Sequence, residues 1–386
     1  MIYSDYNGSA PICSEVKKYL IDRLNNDGPY ANPNAIHFLG GKCLRAMEKA
    51  RKTCAEVLGA KPDNIFFNSG SSEGISTIFY SIEKHCADKP EKRTIVISSM
   101  EHSATLNAAK NLESQGYKLE WIPTLPSGLI DFNFLDAYIP VKKKEIALVV
   151  VMAANNETGV IQPYKQIAAL ANSNGVLYFS DTTQLIGKDL FNFEQSGIDF
   201  AVASGHKVGA LTGTGLLLAK EPTLLAPIIF GGGQEKGLRG GTQNYIGNET
   251  LAVALKAFQE NAHKLENLKS MREKFERDLK HKLPSLVILG ENSPRIPNTC
   301  FLAYPGVHGQ AVQIELEGQN IFVTTSSACS DNEPVTSKVL KSMGVEDQVG
   351  RGAVRVSFGL CHRENDFEEL QNAIVKAYYK LLKIKF

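Results

Sequence analysis

Five short apolar runs, each ending in a cluster of polar residues, constrain the fold of this chain more than any other feature. Ile65–Phe67 runs into Asn68-Ser69-Gly70-Ser71-Ser72-Glu73, and Thr94–Ile97 into Ser98-Ser99-Met100-Glu101-His102. Ile146–Val151 leads to Asn155-Asn156-Glu157-Thr158-Gly159, and Val176–Phe179 to Ser180-Asp181-Thr182-Thr183-Gln184. Phe200–Ala203 closes on Ser204-Gly205-His206-Lys207. Helix-length segments such as 103–115 and 163–172 lie between the runs. Short β-rich runs alternating with helices mean βαβ units and a largely parallel sheet. Ligands of such sheets sit beyond the carboxyl ends of the strands. All five clusters fall there, so they are expected to converge.

The rest of the chain suggests a second unit. At 386 residues it is too long for one simple core. Leu44, Met47, Ala50, Cys54 and Leu58 mark an amphipathic helix that begins the first unit. Leu251, Leu255, Phe258, Ala262, Leu265, Leu268, Phe275 and Leu279 form one long helical stripe, ended by Pro284, which carries the chain out of the sheet. Strands at 298–302, 321–325 and 353–358 and a C-terminal helix then read as a smaller α+β domain. The expected division is 15–257 for the large α/β domain, with 1–14 and 258–386 forming the small one.

Charge narrows the partners. A formal net charge of +1 argues against a direct nucleic-acid partner or an anionic membrane. No signal-peptide pattern or bilayer-length apolar run is present. The seven cysteines are scattered without a CxxC pair, so neither a disulfide framework nor a metal site is expected, and a reducing cytoplasm is the expected compartment.

Several of the polar clusters carry chemistry. Lys207, directly after an apolar strand, is placed where a buried amine forms a Schiff base. Asp181 ends the preceding strand, where a carboxylate would keep a pyridinium nitrogen protonated. Gln184 is in reach of the same ring's phenolic oxygen. Gly70-Ser71-Ser72 opens a helix and makes a phosphate cradle, with Ser204, His206 and Thr242 as further donors. His102 is suited to lie on the ring and exchange protons. Arg355 is suited to hold a carboxylate through paired hydrogen bonds. Singly, each has a plain alternative: a surface lysine, a helix-capping aspartate, a satisfied structural histidine, a surface ion pair. Cys329 sits in the small, polar stretch Ser326-Ser327-Ala328-Cys329-Ser330-Asp331-Asn332-Glu333-Pro334, where a nucleophilic thiol is reachable. The other six cysteines lie in or beside apolar runs and read as inert packing.

Taken in order, these motifs resemble the cysteine desulfurases, a branch of the fold-type-I pyridoxal-phosphate enzymes related to class V aminotransferases. The resemblance runs nearly end to end. It includes Asp5-Tyr6-Asn7, Asn32-Pro33, Ser69-Gly70, Glu101-His102, Asn155–Gly159, Ser204–Lys207, Arg239–Thr242, Ser326–Cys329 and Arg355. The Ser-Ser-Ala-Cys stretch is similar to that of the long-loop group, which feeds iron–sulfur assembly.

The resemblance implies pyridoxal 5'-phosphate carried on Lys207, with Asp181 on the pyridinium nitrogen and His102 stacked on the ring. It implies Gln184 and Asn156 on the ring substituents or substrate, and Ser71, Ser72, Ser204 and His206 on the phosphate. Thr242 would join them from the other subunit of a homodimer. Arg355, with Asn32, would hold the carboxylate of L-cysteine. Cys329 would take the sulfur as a persulfide and pass it to an acceptor protein, such as an iron–sulfur scaffold or a thiolation enzyme. Gly209-Ala210-Leu211-Thr212 departs from the family's usual Tyr-Gly-Pro-Lys after the lysine. Transamination or selenocysteine lysis on the same fold, and a non-catalytic binding protein, are the competing readings. An exposed loop cysteine is unnecessary for transamination and favours desulfuration.

Overall fold

The structure is a computed structural model and describes residues 1–26, 28, 30–325 and 335–383. An N-terminal strand, β1 (Ile2–Tyr3), precedes the strands of the large sheet. These are β2 (Ile65–Asn68), β3 (Thr94–Ser98), β4 (Lys118–Ile122), β5 (Ile146–Val150), β6 (Tyr178–Asp181), β7 (Phe200–Ser204) and β8 (Gly215–Ala219). Among the described residues they form one sheet in the order β2-β8-β7-β6-β5-β3-β4. Only β8 runs against the others, pairing antiparallel with β2 and β7. The five runs read from the sequence are all strands. β4 and β8 were not anticipated.

The sheet is buried on both faces, as strands under βαβ crossovers must be. Side chains alternate between two separate cores: Phe67, Val96 and Val149 join one cluster, while their neighbours Phe66, Ile95, Ile97, Leu148 and Val150 join the other. Helices Phe38–Leu58, Ser71–His85, Ser103–Ser114 and Tyr164–Ser173 connect or flank the strands. Ile97, Val150, Phe179 and Phe200 lie in register across four parallel strands. The polar clusters that follow those strands therefore meet at one edge.

The long helical stripe is not one helix. Tyr245–Asn261 and Leu265–Lys282 are separated by a tight turn at Ala262–Lys264. Beyond them β9 (Val287–Ile288), β10 (Thr299–Ala303), β12 (Thr324–Thr325) and β13 (Val354–Ser357) make an antiparallel sheet, β12-β13-β10-β9. The expected single strand at 321–325 is divided: β11 (Ile321–Phe322) instead pairs parallel with β1. Leu268, Phe275, Phe358, Phe367 and Tyr378 centre a third core beneath the helix Glu364–Leu381. Past β1, Asp5 bridges to Ser357. The N-terminal segment thus lies against the second sheet before crossing to the first. No helix among the described residues is long and apolar enough to cross a membrane.

Candidate active site

The strand ends converge on a cavity of about 600 Å³. Ser71, Ser72, His102, Asn156, Asp181, Gln184, Ser204, His206, Lys207 and Arg355 all line it. Asp181 is buried at the end of β6, and its Oδ1 accepts from the backbone N–H of Thr183 at 3.0 Å. His102 is exposed at the mouth, capping the helix Ser103–Ser114 by accepting from Ala104 N at 3.2 Å.

At the helix start, Gly70 has φ of +147°, a conformation that L side chains rarely adopt, and a Cβ there would press on Ser204 Oγ at 3.3 Å. The opening is polar and closely knit. Ser71 N donates to Ser204 Oγ at 2.8 Å, and Ser71 Oγ lies 2.6 Å from Thr183 Oγ1. His206 lies 3.2 Å from Ser9 Oγ through Nδ1. Burial, then the neighbouring cations Lys207 and Lys188, push its pKa down to about 4. It enters the site as a neutral ring.

Lys207 Nζ donates to the backbone carbonyls of Asn7 (2.7 Å) and Gly8 (2.6 Å). The departure at Gly209–Thr212 leaves the lysine's turn well supported. Ala210 N bonds Gly205 O, Cys13 N bonds Gly209 O, and Ala10 N bonds His206 O.

Arg355 is no surface ion pair. Its buried guanidinium donates to Asn156 O (2.8 Å) and Asp5 Oδ1 (2.7 Å), and its Nε is buried without a partner. Two further acids line the cavity. Glu101 Oε1 accepts from Met152 N at 2.7 Å while Oε2 is buried and unpartnered. Burial, reinforced by Asp181, pushes Glu101 up to about 8. Burial pushes Glu157 up to about 7, against a hydrogen bond from Ser337 Oγ (2.6 Å) and the Arg355 charge.

Sequence reasoning quoted Asp5-Tyr6-Asn7 in the resemblance but gave the N-terminal hub no role. Asp5, Asn7, Gly8 and Ser9 contact Arg355, Gln184, Lys207 and His206, mostly through backbone carbonyls that carry no side-chain signature. Thr183, Lys188, Glu101 and Glu157 were not singled out either. Asn32 and Thr242 are exposed and do not reach this cavity within the chain.

Cys329 lies outside the described residues, though Thr324 and Thr325 before it and Val335, Thr336 and Ser337 after it line the cavity. One cysteine expected to be inert packing is not: Cys361 is exposed, 3.1 Å from Tyr6 Oη. A hydrogen bond from His362 holds its thiol below the usual range.

The residues fit pyridoxal phosphate. A glycine-opened helix end suits a phosphate, a buried carboxylate suits a pyridinium, and the orphaned Glu101 Oε2 and Arg355 Nε are polar atoms awaiting partners in the cavity wall.

The chain is similar to known proteins along nearly its whole length. Residues 2–370 match the family model described as aminotransferase class-V. "Cysteine desulfurase 2" of Trichormus variabilis is 32% identical over 370 residues, 96% of this chain and 91% of that protein. A solved "NIFS-LIKE PROTEIN" superposes with a TM-score of 0.90 at 30% identity, covering 98% of this chain and 100% of that one. A second, "SspA in complex with cysteine", gives 0.79 at 28%, covering 93% and 99%.

Proposed function

The chain belongs to the class-V aminotransferase family, on its cysteine desulfurase branch, and from that premise we propose that it converts L-cysteine to L-alanine and hands the sulfur, through a persulfide on Cys329, to an acceptor. One observation carries the reading. Lys207, Asp181, His102 and Arg355, from four separate stretches of chain, open onto one cavity bordered by both flanks of the segment that holds Cys329.

Pyridoxal phosphate, when bound, supplies an electron sink for the pair left at the substrate Cα. Lys207 is the amine that tethers it, and Asp181 holds a proton on the ring nitrogen. Ser71, Ser72, Ser204 and neutral His206 receive the phosphate. Arg355, braced by Asn156 O and Asp5 and lining the cavity, would hold the substrate carboxylate through its guanidinium. Once displaced, the Lys207 amine takes the Cα proton, and His102 at the cavity mouth moves protons to and from substrate.

The thiolate of Cys329 then attacks the substrate sulfur. An S–S bond forms as the substrate's C–S bond breaks, and the electron pair stays on Cβ; Cβ is protonated, and Lys207 returns the proton it took to Cα, giving alanine. Atoms and electrons balance without an outside oxidant.

Dimerisation belongs to the same proposal. Thr242 is exposed and turned out of its own cavity, on a loop bordered by exposed Phe230 and by the segment bearing exposed Tyr30, Ile36 and Phe38. Asn34 Nδ2 reaches Gln243 Oε1 at 3.4 Å, which joins the two segments into one face. A second copy docked there brings Thr242 to the partner's phosphate.

Assaying alanine and sulfide from L-cysteine tests the function. Wild type yields both in equal amounts with a reductant present, while Cys329→Ala retains cofactor colour and loses sulfide release. Keto-acid production in place of alanine would mean transamination instead.

A further inference from the structure

We propose that Lys188 is a positioning residue that locks the Gln184 amide with an N–H directed at the cofactor's phenolate oxygen, an inference that rests on the pyridoxal-phosphate reading above. Gln184 Nε2 donates to the Asn7 carbonyl at 3.0 Å, and buried Lys188 Nζ donates to Gln184 Oε1 at 2.5 Å. A carbonyl only accepts, so the amide nitrogen must face Asn7. Turning the amide over would set oxygen against oxygen and abandon the bond from Lys188. An amide nitrogen carries two hydrogens. One goes to Asn7, and the other remains for an acceptor in the cavity that Gln184 lines.

The Asn7 carbonyl also accepts from Lys207 Nζ at 2.7 Å. Lys188, Gln184, Asn7 and Lys207 therefore form one hydrogen-bonded chain. It ties the donor for the phenolate to the amine that holds the cofactor.

Nothing about packing calls for a lysine at 188. Burial, then the cations Lys207 and Arg355, push its pKa well below the usual lysine range, and only Asp5 opposes them. An apolar side chain would sit there at less cost but could not donate to Oε1.

The test loads wild type, Lys188→Met, Lys188→Gln, Gln184→Leu and the Lys188→Met/Gln184→Leu pair with pyridoxal phosphate. The pH midpoint of the bound cofactor's visible absorbance is then measured. Losing a hydrogen bond to the phenolate makes the chromophore more basic. Lys188→Met and Gln184→Leu should each raise the midpoint, by about one pH unit. The double variant should move no further than either single one. Lys188→Gln keeps a donor and should stay at the wild-type midpoint, so the proposal remains testable if Lys188→Met does not fold.

An unmoved Lys188→Met, full additivity in the double variant, or a Lys188→Gln midpoint that moves as far as Gln184→Leu would overturn the assignment. A wild-type protein that takes up no pyridoxal phosphate would instead overturn the underlying reading, and this inference with it.

Discussion

Glu101 carries its proton because of where it is buried. A carboxyl with a folded-state pKa of about 8 binds a proton through the range where the unfolded chain has lost it. The native state then holds more protons than the unfolded one, so stability falls as pH rises from the ordinary glutamate range toward 8 and levels off above it. Glu101→Gln removes that titration while keeping an acceptor for Met152 N. In cofactor-free protein, denaturant unfolding should show wild type losing roughly 2–4 kcal/mol more than Glu101→Gln between about pH 5 and pH 8.5. Parallel curves would mean that Glu101 is ionised in the folded protein. Arg355 makes a second prediction at this scale. Arg355→Lys loses the planar fork that grips a carboxylate, so KM for L-cysteine should rise about tenfold or more with a smaller change in kcat. A fall in kcat at constant KM would move Arg355 from binding to chemistry.

At the scale of elements, the opening of the helix Ser71–His85 is the most demanding join. Gly70→Ala forces a side chain into φ of +147° and against Ser204 Oγ, and both changes disturb the cradle. Cofactor affinity, followed by fluorescence titration, should weaken about tenfold or more while the far-UV spectrum stays unchanged. Equal affinity would remove the phosphate from that helix end. A second join is the buried pair Arg51–Glu235 at 2.8 Å, which pins the glycine-rich loop carrying Thr242 to the helix Phe38–Leu58 and to Phe67 N. Glu235 and Lys236 both adopt left-handed backbone there, φ 47° and 58°. Glu235→Ala takes the closest carboxylate from the buried Arg51 guanidinium, leaving it Glu48 and the Ile65 carbonyl, and should destabilise the fold by about 1–3 kcal/mol in urea unfolding.

These joins also show what the sequence made legible. The five buried strands announce themselves because apolar, β-branched runs break off at polar clusters, and that same rule picked out Lys207, Asp181, His102 and Ser71-Ser72, which line one cavity. β8 has an equally apolar run, Gly215–Ala219, but antiparallel direction leaves no mark in composition. β4 is an edge strand whose exposed Lys118 and Trp121 dilute the apolar signal. The break at Ala262–Lys264 preserves the apolar stripe on both sides, so periodicity alone reads straight through it. The N-terminal hub works through the carbonyls of Asn7 and Gly8, and a backbone oxygen is the same in every residue. Lys188 looks like any lysine until its burial is known.

At the scale of the whole molecule, the proposed function takes Thr242 from a second chain at each site. Thr242 faces outward, away from the cavity that its own Lys207 lines. Mixing Thr242→Ala subunits with Lys207→Ala subunits should restore a fraction of the activity that neither variant has alone. In the mixed dimer, one site combines an intact Lys207 with an intact Thr242 from its partner. No recovery on mixing would place Thr242 outside the site. The proposed chemistry rests on the amine of Lys207, just past β7. Reducing the pyridoxal-phosphate-loaded protein with borohydride and mapping the pyridoxyl group by peptide mass spectrometry addresses that amine directly. The label should be found on Lys207, with none on its neighbour Lys188. A label confined to Lys188 or to a surface lysine, or a cofactor that washes away after reduction, would contradict it.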